Sequence, residues 1–174
     1  MIIGIEIRSL SIWRNEKALI RWRTLAVHHG AQERGRAEIF ADYHLRIGEV
    51  TADTNVPDGA ALGHDRFDVT AAGAPCVTIV EAQSGEGDAG ASASDYATAA
   101  GLVDVEGYDS ITTADKTLVL AAWRDAAALT AWRASQPAPA GAGSARYREV
   151  RVIRDYGMRD RVEAPQYYPP PPGD

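Results

Sequence analysis

An internal repeat built around pairs of tryptophans limits what this chain can fold into more than any other feature of its sequence. The segment from Trp13 to Arg23 recurs, in weakened form, from Trp123 to Arg133. The chain contains only four tryptophans, and all four lie in these two copies. The matched residues are Trp13 with Trp123, Arg14 with Arg124, Ala18 with Ala128, Leu19 with Leu129, Trp22 with Trp132 and Arg23 with Arg133. A chain of 174 residues with such a repeat is predicted to form two small related modules.

The composition argues against several classes of function. A net charge of −6 argues against a nucleic-acid backbone as the main partner, because phosphate binding needs a concentrated basic surface. No apolar run approaches the ~18 residues of a membrane span, and the start of the chain lacks the basic residues of a secretory signal. The single Cys76 cannot form an internal disulfide and lies in an apolar run, so we expect it to be buried. The sequence therefore predicts a soluble, cytoplasmic protein.

Hydrophobic spacing over residues 1–53 predicts the order strand, strand, helix, strand. β-Branched residues in 1–14 indicate two short strands, and Asn15 is a suitable N-cap for the helical spacing that follows. Glycines within 15–40 favour two consecutive helices over one. Residues 42–50 alternate as in a strand with one buried face. The residues predicted to be buried there are Tyr43, Leu45 and Ile47. Because an opening strand and helix are lacking, 1–53 is interpreted as a partial first repeat.

Residues 75–160 are predicted to form a complete second module. Strands are predicted at 75–81, 106–112, 116–123 and 146–155, with helices at 95–103 and after the N-cap Asp125. This is the β-α-β-β-α-β order of a ferredoxin-like module, so the predicted fold class is α+β. Turn-forming residues make 54–74 a linker, and prolines make 161–174 an extended tail.

The residues of both repeats resemble one known family. The first repeat reads Trp-Arg-Asn-Glu-x-Ala-Leu-x-x-Trp-Arg, followed by His28, Gln32, Gly35-Arg36 and Tyr43. With Gly4-Ile-Glu6, this pattern resembles the antibiotic biosynthesis monooxygenase family. The second repeat is similar to that family at Gly107-Tyr-Asp109 and Arg154-Asp-Tyr-Gly157. The resemblance implies ferredoxin-like modules that pair as a dimeric α+β barrel, within one chain as a pseudo-dimer or between chains as a homodimer.

The resemblance also implies an oxygenase site in the first repeat. Trp22 would line the substrate cavity and His28 would be the base. Gln32 and Arg14 would be hydrogen-bond donors. The implied substrate is a small aromatic or quinol, with molecular oxygen as co-substrate and no cofactor, because a deprotonated electron-rich ring can itself pass an electron to dioxygen. Histidine suits the base role because its ordinary pKa of about 6.5 lies near operating pH.

Non-catalytic interpretations of the same residues stay open. Trp13 and Trp22 suit the packing of a core, and His28 suits a solvated helix end. By spacing from the helical tryptophan, Ala138 of the second repeat aligns with His28 of the first, and Ala142 aligns with Gln32. The second repeat has therefore lost its polar lining. The alternative function is a catalytically degenerate pseudo-dimer that binds a ligand or serves as a scaffold.

The remaining polar residues are not expected to carry chemistry. A related branch of the superfamily degrades haem with a histidine ten residues after the helical tryptophan, where this chain has Gln32, so haem is disfavoured. His44 and His64 have no companion ligands at metal spacing. Arg34 and Arg36 are predicted on a solvated helix face that also carries glutamates.

Overall fold

The computed structural model describes residues 8–60, 62, 68–83, 92–135 and 145–165. The chain divides into two compact units, with the boundary between Tyr43 and His44. The first unit is described over residues 8–43, and the second over the described residues from His44 onward.

The first unit contains two short helices. α1 (Glu16–Arg23) begins at the N-cap Asn15, whose Oδ1 accepts a hydrogen bond from the backbone N–H of Ala18 at 3.0 Å. α2 (Ala26–Arg34) continues into a single π turn, Gly35–Ile39. The two consecutive helices predicted from the sequence are confirmed.

The segment before α1 does not form the predicted strand. Residues Leu10–Trp13 lie outside any helix or strand, and the other predicted strand, Ile2–Ile7, falls outside the described residues. A strand needs a neighbouring strand to pair its backbone N–H and C=O groups. Since no described residue of this unit belongs to a strand, the prediction at Leu10–Trp13 is wrong.

The second unit is a five-stranded sheet with a helix on it. Its elements are β1 (His44–Asp53), β2 (Cys76–Gln83), β3 (Leu102–Asp109), β4 (Lys116–Trp123), α3 (Ala126–Ser135) and β5 (Ala145–Gly157). The strand order is β1-β5-β2-β4-β3, and every pairing is antiparallel. Strands β2 to β5 are arranged as in a ferredoxin-like module, which confirms the predicted α+β class. The pairing of modules into a barrel stays a prediction.

β1 is the edge strand beside β5. Its register runs from the pair His44–Gly157 to the pair Asp53–Arg148. The sequence pattern assigned this segment to the first repeat, whereas the structure places it in the second unit. Leu45 is 41% exposed, so its predicted burial is wrong; no residue of β1 is fully buried, as expected at a sheet edge. The domain boundaries predicted at 53, 74 and 160 stay predictions.

The helix predicted at 95–103 is only a single-turn 3₁₀ helix, Ala93–Tyr96. Ser92 caps it, and the Asp95 carboxylate accepts a hydrogen bond from the Ser92 N–H at 3.0 Å. Gly101, inside the predicted helix, has φ +83°, a left-handed conformation that an α-helix does not contain. Leu102 then begins β3, earlier than the sequence pattern predicted.

Apolar residues pack on both faces of the sheet. On the side of α3, Trp123 is fully buried and packs with Leu129 of the helix. On the opposite side the buried residues are Ala74, Val77, Ile79, Ala122 and Val152. Cys76 belongs to the cluster on the α3 side, which confirms its predicted burial.

Candidate functional site

His28 lies against the indole ring of Trp22 in the first unit. The two ring centroids are 3.6 Å apart and the ring planes are inclined by 36°. Trp13 contacts the same indole, with the centroids 5.1 Å apart. The structure therefore brings together two of the four predicted site residues, with Trp13 beside them.

The break between α1 and α2 places these rings side by side. Thr24 ends α1 by donating hydrogen bonds from its N–H and its hydroxyl to the carbonyl of Ile20, at 3.0 and 2.9 Å. Leu25 then takes an extended conformation, with φ −62° and ψ 134°, before α2 begins. This turn returns His28, in the first turn of α2, to Trp22 in the last turn of α1.

Removal from water lowers the pKa of His28 below its ordinary value of 6.5. Burial disfavours the charged imidazolium, so the ring is neutral at neutral pH and can accept a proton. The neighbouring His29 instead lies 3.4 Å from Glu33 on the exposed surface of α2. Of these two histidines, His28 is therefore the one placed to act as a base.

Gln32 and Arg14 are the other two predicted site residues. Gln32 is half-buried and lies one turn after His28 on α2. Arg14 is exposed immediately before the N-cap Asn15. Their roles as hydrogen-bond donors stay predictions.

Arg36 is buried, so its predicted place on a solvated helix face is wrong. Only 9% of the residue is exposed, and Nη1 donates a hydrogen bond to the Tyr43 hydroxyl at 2.6 Å. Its guanidinium carbon is 5.8 Å from the centre of the Tyr43 ring. Phe40 packs so closely on Gly35 that a Cβ there would lie 2.9 Å from Phe40 Cε2. From the sequence, Arg36 was given no role in the site. Gly35 was a signal for the close approach of Phe40, because a residue without a Cβ permits such packing.

The second unit contains a tryptophan pair with nearly the same geometry. The Trp123 and Trp132 centroids are 5.1 Å apart with the planes inclined by 40°, compared with 5.1 Å and 38° for Trp13 and Trp22. Trp132 stacks on Tyr96, with the ring centroids 4.7 Å apart and the planes inclined by 20°. Ala138 and Ala142, which the sequence aligned with the polar residues of the first repeat, lie outside the described residues.

Within the part of the chain that the structure describes, neither a metal site nor a membrane span is found. No group of three or more His, Cys, Asp and Glu side chains is placed to hold a metal ion. His44 pairs with Asp155, which also accepts a hydrogen bond from Arg46 Nε at 3.0 Å; His64 lies outside the described residues. No helix there is long and apolar enough to cross a bilayer.

Comparison with known proteins gives a relative that covers most of the chain. This chain is 38% identical to the jasmonate monooxygenase ABM of Pyricularia oryzae (strain 70-15), over an alignment of 174 positions. The alignment spans 94% of this chain and 76% of that protein. No family model matches the chain, and no solved structure matches it.

Proposed function

Because this chain belongs to the antibiotic biosynthesis monooxygenase family, we propose that it is an oxygenase of a small aromatic or quinol substrate, with its site in the first unit. The observation that carries the proposal is the contact between His28 and Trp22, whose ring centroids are 3.6 Å apart. A neutral imidazole held against a flat apolar ring suits the deprotonation of a phenol. Trp22 is 38% exposed, so part of its surface is accessible to a substrate ring.

In the proposed mechanism, His28 accepts the proton of a substrate hydroxyl or activated C–H group. The indole of Trp22 holds the substrate ring flat beside this base. The resulting anion passes an electron to dioxygen, and the two radicals combine at the substrate carbon. One oxygen atom stays on that carbon as a carbonyl and the other leaves as water. Both hydrogens and all four electrons come from the substrate, from the CH₂ group of an anthrone or from a ring C–H and a hydroxyl group of a hydroquinone. No external reductant is needed for this balance.

The test is oxygen consumption with a panel of hydroquinones and anthrone-type phenols, in buffer treated to remove metals. We expect uptake of one O₂ per product and one ¹⁸O atom per product from ¹⁸O₂. Chelator should leave the rate unchanged. A folded protein that consumes no oxygen across the panel would contradict the proposal.

Jasmonate is the second candidate substrate, favoured by the name of the relative from Pyricularia oryzae. Jasmonate is a cyclopentanone carboxylate and lacks an electron-rich phenol. Hydroxylation of one of its C–H bonds takes one O₂, two electrons and two protons, and yields the alcohol and water. A reductant of the nicotinamide or flavin class is therefore required. Product formation from jasmonate only when such a reductant is added would favour this candidate over the quinol.

The alternative of a binding or scaffold pseudo-dimer is supported by the second unit. Its tryptophan pair repeats the geometry of the first pair, which supports the tandem repeat. Trp132, however, stacks on the phenol of Tyr96, whereas Trp22 contacts the imidazole of His28. Saturable quenching of tryptophan fluorescence by quinols, without oxygen uptake, would favour this alternative. Sedimentation of the protein would then decide between an internal pseudo-dimer and a homodimer.

A further inference from the structure

Four aromatic rings of the second unit form a continuous series with Trp132 in the middle. The Trp132 centroid lies 5.1 Å from Trp123, 4.7 Å from Tyr96 and 6.5 Å from Tyr147. The planes of Trp132 and Tyr147 are inclined by only 24°. Rings this close can exchange an electron without moving, because electron tunnelling between aromatic rings is fast over such short distances.

The two tyrosines of the series differ in what their hydroxyl groups contact. Tyr147 Oη donates a hydrogen bond to Glu149 Oε1 at 3.1 Å. Tyr96 is 3% exposed and its hydroxyl bonds to Thr78. A tyrosine that loses an electron becomes strongly acidic, so its oxidation is favoured where a carboxylate can take the proton. Tyr147 has such a carboxylate, whereas the threonine hydroxyl beside Tyr96 is a poor base.

Arg133 contacts Glu149 and lies near the ring of Tyr147. Its Nη1 lies 2.7 Å from Glu149 Oε1, and its guanidinium carbon is 5.7 Å from the centre of the Tyr147 ring. Burial, with the charge of Glu149 next, raises the pKa of Tyr147. The phenol is therefore protonated at neutral pH, and its O–H can pass a proton to Glu149 when the ring is oxidised.

Small molecules can reach the series at Trp132. A groove of about 250 Å³ is lined by Trp132 together with Asp95, Thr98, Ala99, Ala100, Ala131 and Ser135. Trp123 and Tyr96 are buried behind it. An oxidant that enters this groove therefore meets Trp132 first.

We propose that Trp132 and Tyr147 form a one-electron relay that supplies an electron to a small one-electron oxidant in the groove. Trp132 gives one electron to the oxidant and becomes a radical cation. Tyr147 returns an electron to Trp132 and transfers its hydroxyl proton to Glu149, which leaves a neutral tyrosyl radical. This activity goes beyond the proposed oxygenation and does not depend on it, since any one-electron oxidant that enters the groove can start the relay.

The relay is tested with photogenerated tris(bipyridine)ruthenium(III) as the oxidant and the full chain as the protein. Samples frozen after the flash are examined by electron paramagnetic resonance. We expect a neutral tyrosyl radical in the wild type. Tyr147→Phe should lose this signal and leave a tryptophan radical, while Trp132→Phe should lower the tyrosyl yield because phenylalanine cannot carry the electron.

Two further variants separate the relay from a packing role. Glu149→Gln removes the proton acceptor but keeps the shape of the side chain, so we expect a lower yield of the neutral tyrosyl radical. Tyr108→Phe is the matched control on β3 and should leave the signal unchanged. A tyrosyl signal that survives in Tyr147→Phe, or that is absent from the wild type, would overturn the proposal. Near-ultraviolet circular dichroism checks that each variant is folded.

Discussion

Arg146 donates two hydrogen bonds to the carboxylate of Asp53, from Nε to Oδ1 at 2.9 Å and from Nη2 to Oδ2 at 2.7 Å. The pair joins β1 to β5, and only 5% of the Asp53 side chain is exposed. The hydrogen bond from Arg146 is the main reason that the pKa of Asp53 is lowered to about 2. The edge strand is therefore held by an interaction that depends on pH.

The first prediction concerns that dependence. Since the pKa of Asp53 is lower in the folded than in the unfolded chain, its contribution is present above about pH 4 and is lost as the pH falls through about 2. The lost contribution is about 2 kcal/mol of the free energy of unfolding. Urea unfolding between pH 2 and pH 7 measures it. Asp53→Asn should flatten this part of the curve, and the same change at exposed Asp58 should not.

The second prediction concerns Arg148, which is 3% exposed. Its Nη1 pairs with Glu81, and its Nε lies 3.4 Å from Asp53 Oδ2. Arg148→Met removes one positive partner from each carboxylate, while Asp53 keeps Arg146 and Glu81 keeps Lys116. We therefore expect a loss of about 1.5–3 kcal/mol. Urea denaturation at pH 7 gives the value, with Arg159→Met at an exposed position as the control. A loss equal to that of the control would show that the network does not stabilise the sheet.

The elements of the second unit that local pattern determines were predicted well. Asp125 was expected to cap the helix that carries Trp132, and its Oδ1 accepts a hydrogen bond from the Ala128 N–H at 2.7 Å. The pairing of β1 with β5 was not predicted, because His44 and Gly157 lie far apart in the sequence and nothing local specifies the pair. Alternation predicts a strand but not which neighbour it joins.

In the candidate site, spacing along the helix was less reliable than residue type. The aromatic and histidine pattern identified Trp22 and His28, which the structure brings into contact. The burial of Arg36 was missed because helical spacing was extended past Arg34. The π turn at Gly35–Ile39 has one more residue per hydrogen-bonded ring than an α-helix, so side chains after Arg34 face other directions.

The third prediction uses two glycines with opposite surroundings. A Cβ at Gly101 would lie 2.4 Å from the Cβ of Ala128, and φ there is +83°. Gly101→Ala should therefore destabilise the second unit by about 2–3 kcal/mol. Gly30 lies inside α2. Apart from its own helix backbone and its chain neighbours, an added Cβ there would have no atom of the described residues within 4 Å. Gly30→Ala should stabilise that helix by about 0.5–1 kcal/mol. Thermal unfolding of both variants checks the signs, and equal shifts would contradict this interpretation.

The fourth prediction concerns the pH profile of the proposed oxygenation. A base whose pKa is lowered below 6.5 acts in its neutral form, so kcat/KM should rise with pH through that lowered value and level off above it. His28→Gln should remove this rise and lower kcat/KM by about 10²–10⁴-fold. His29→Gln changes the neighbouring exposed histidine, which lies 3.4 Å from Glu33, and should leave the profile as it is. Oxygen uptake from pH 5 to pH 9 gives the three profiles. If the rise persists in His28→Gln, another group is the base, and the contact with Trp22 serves packing alone.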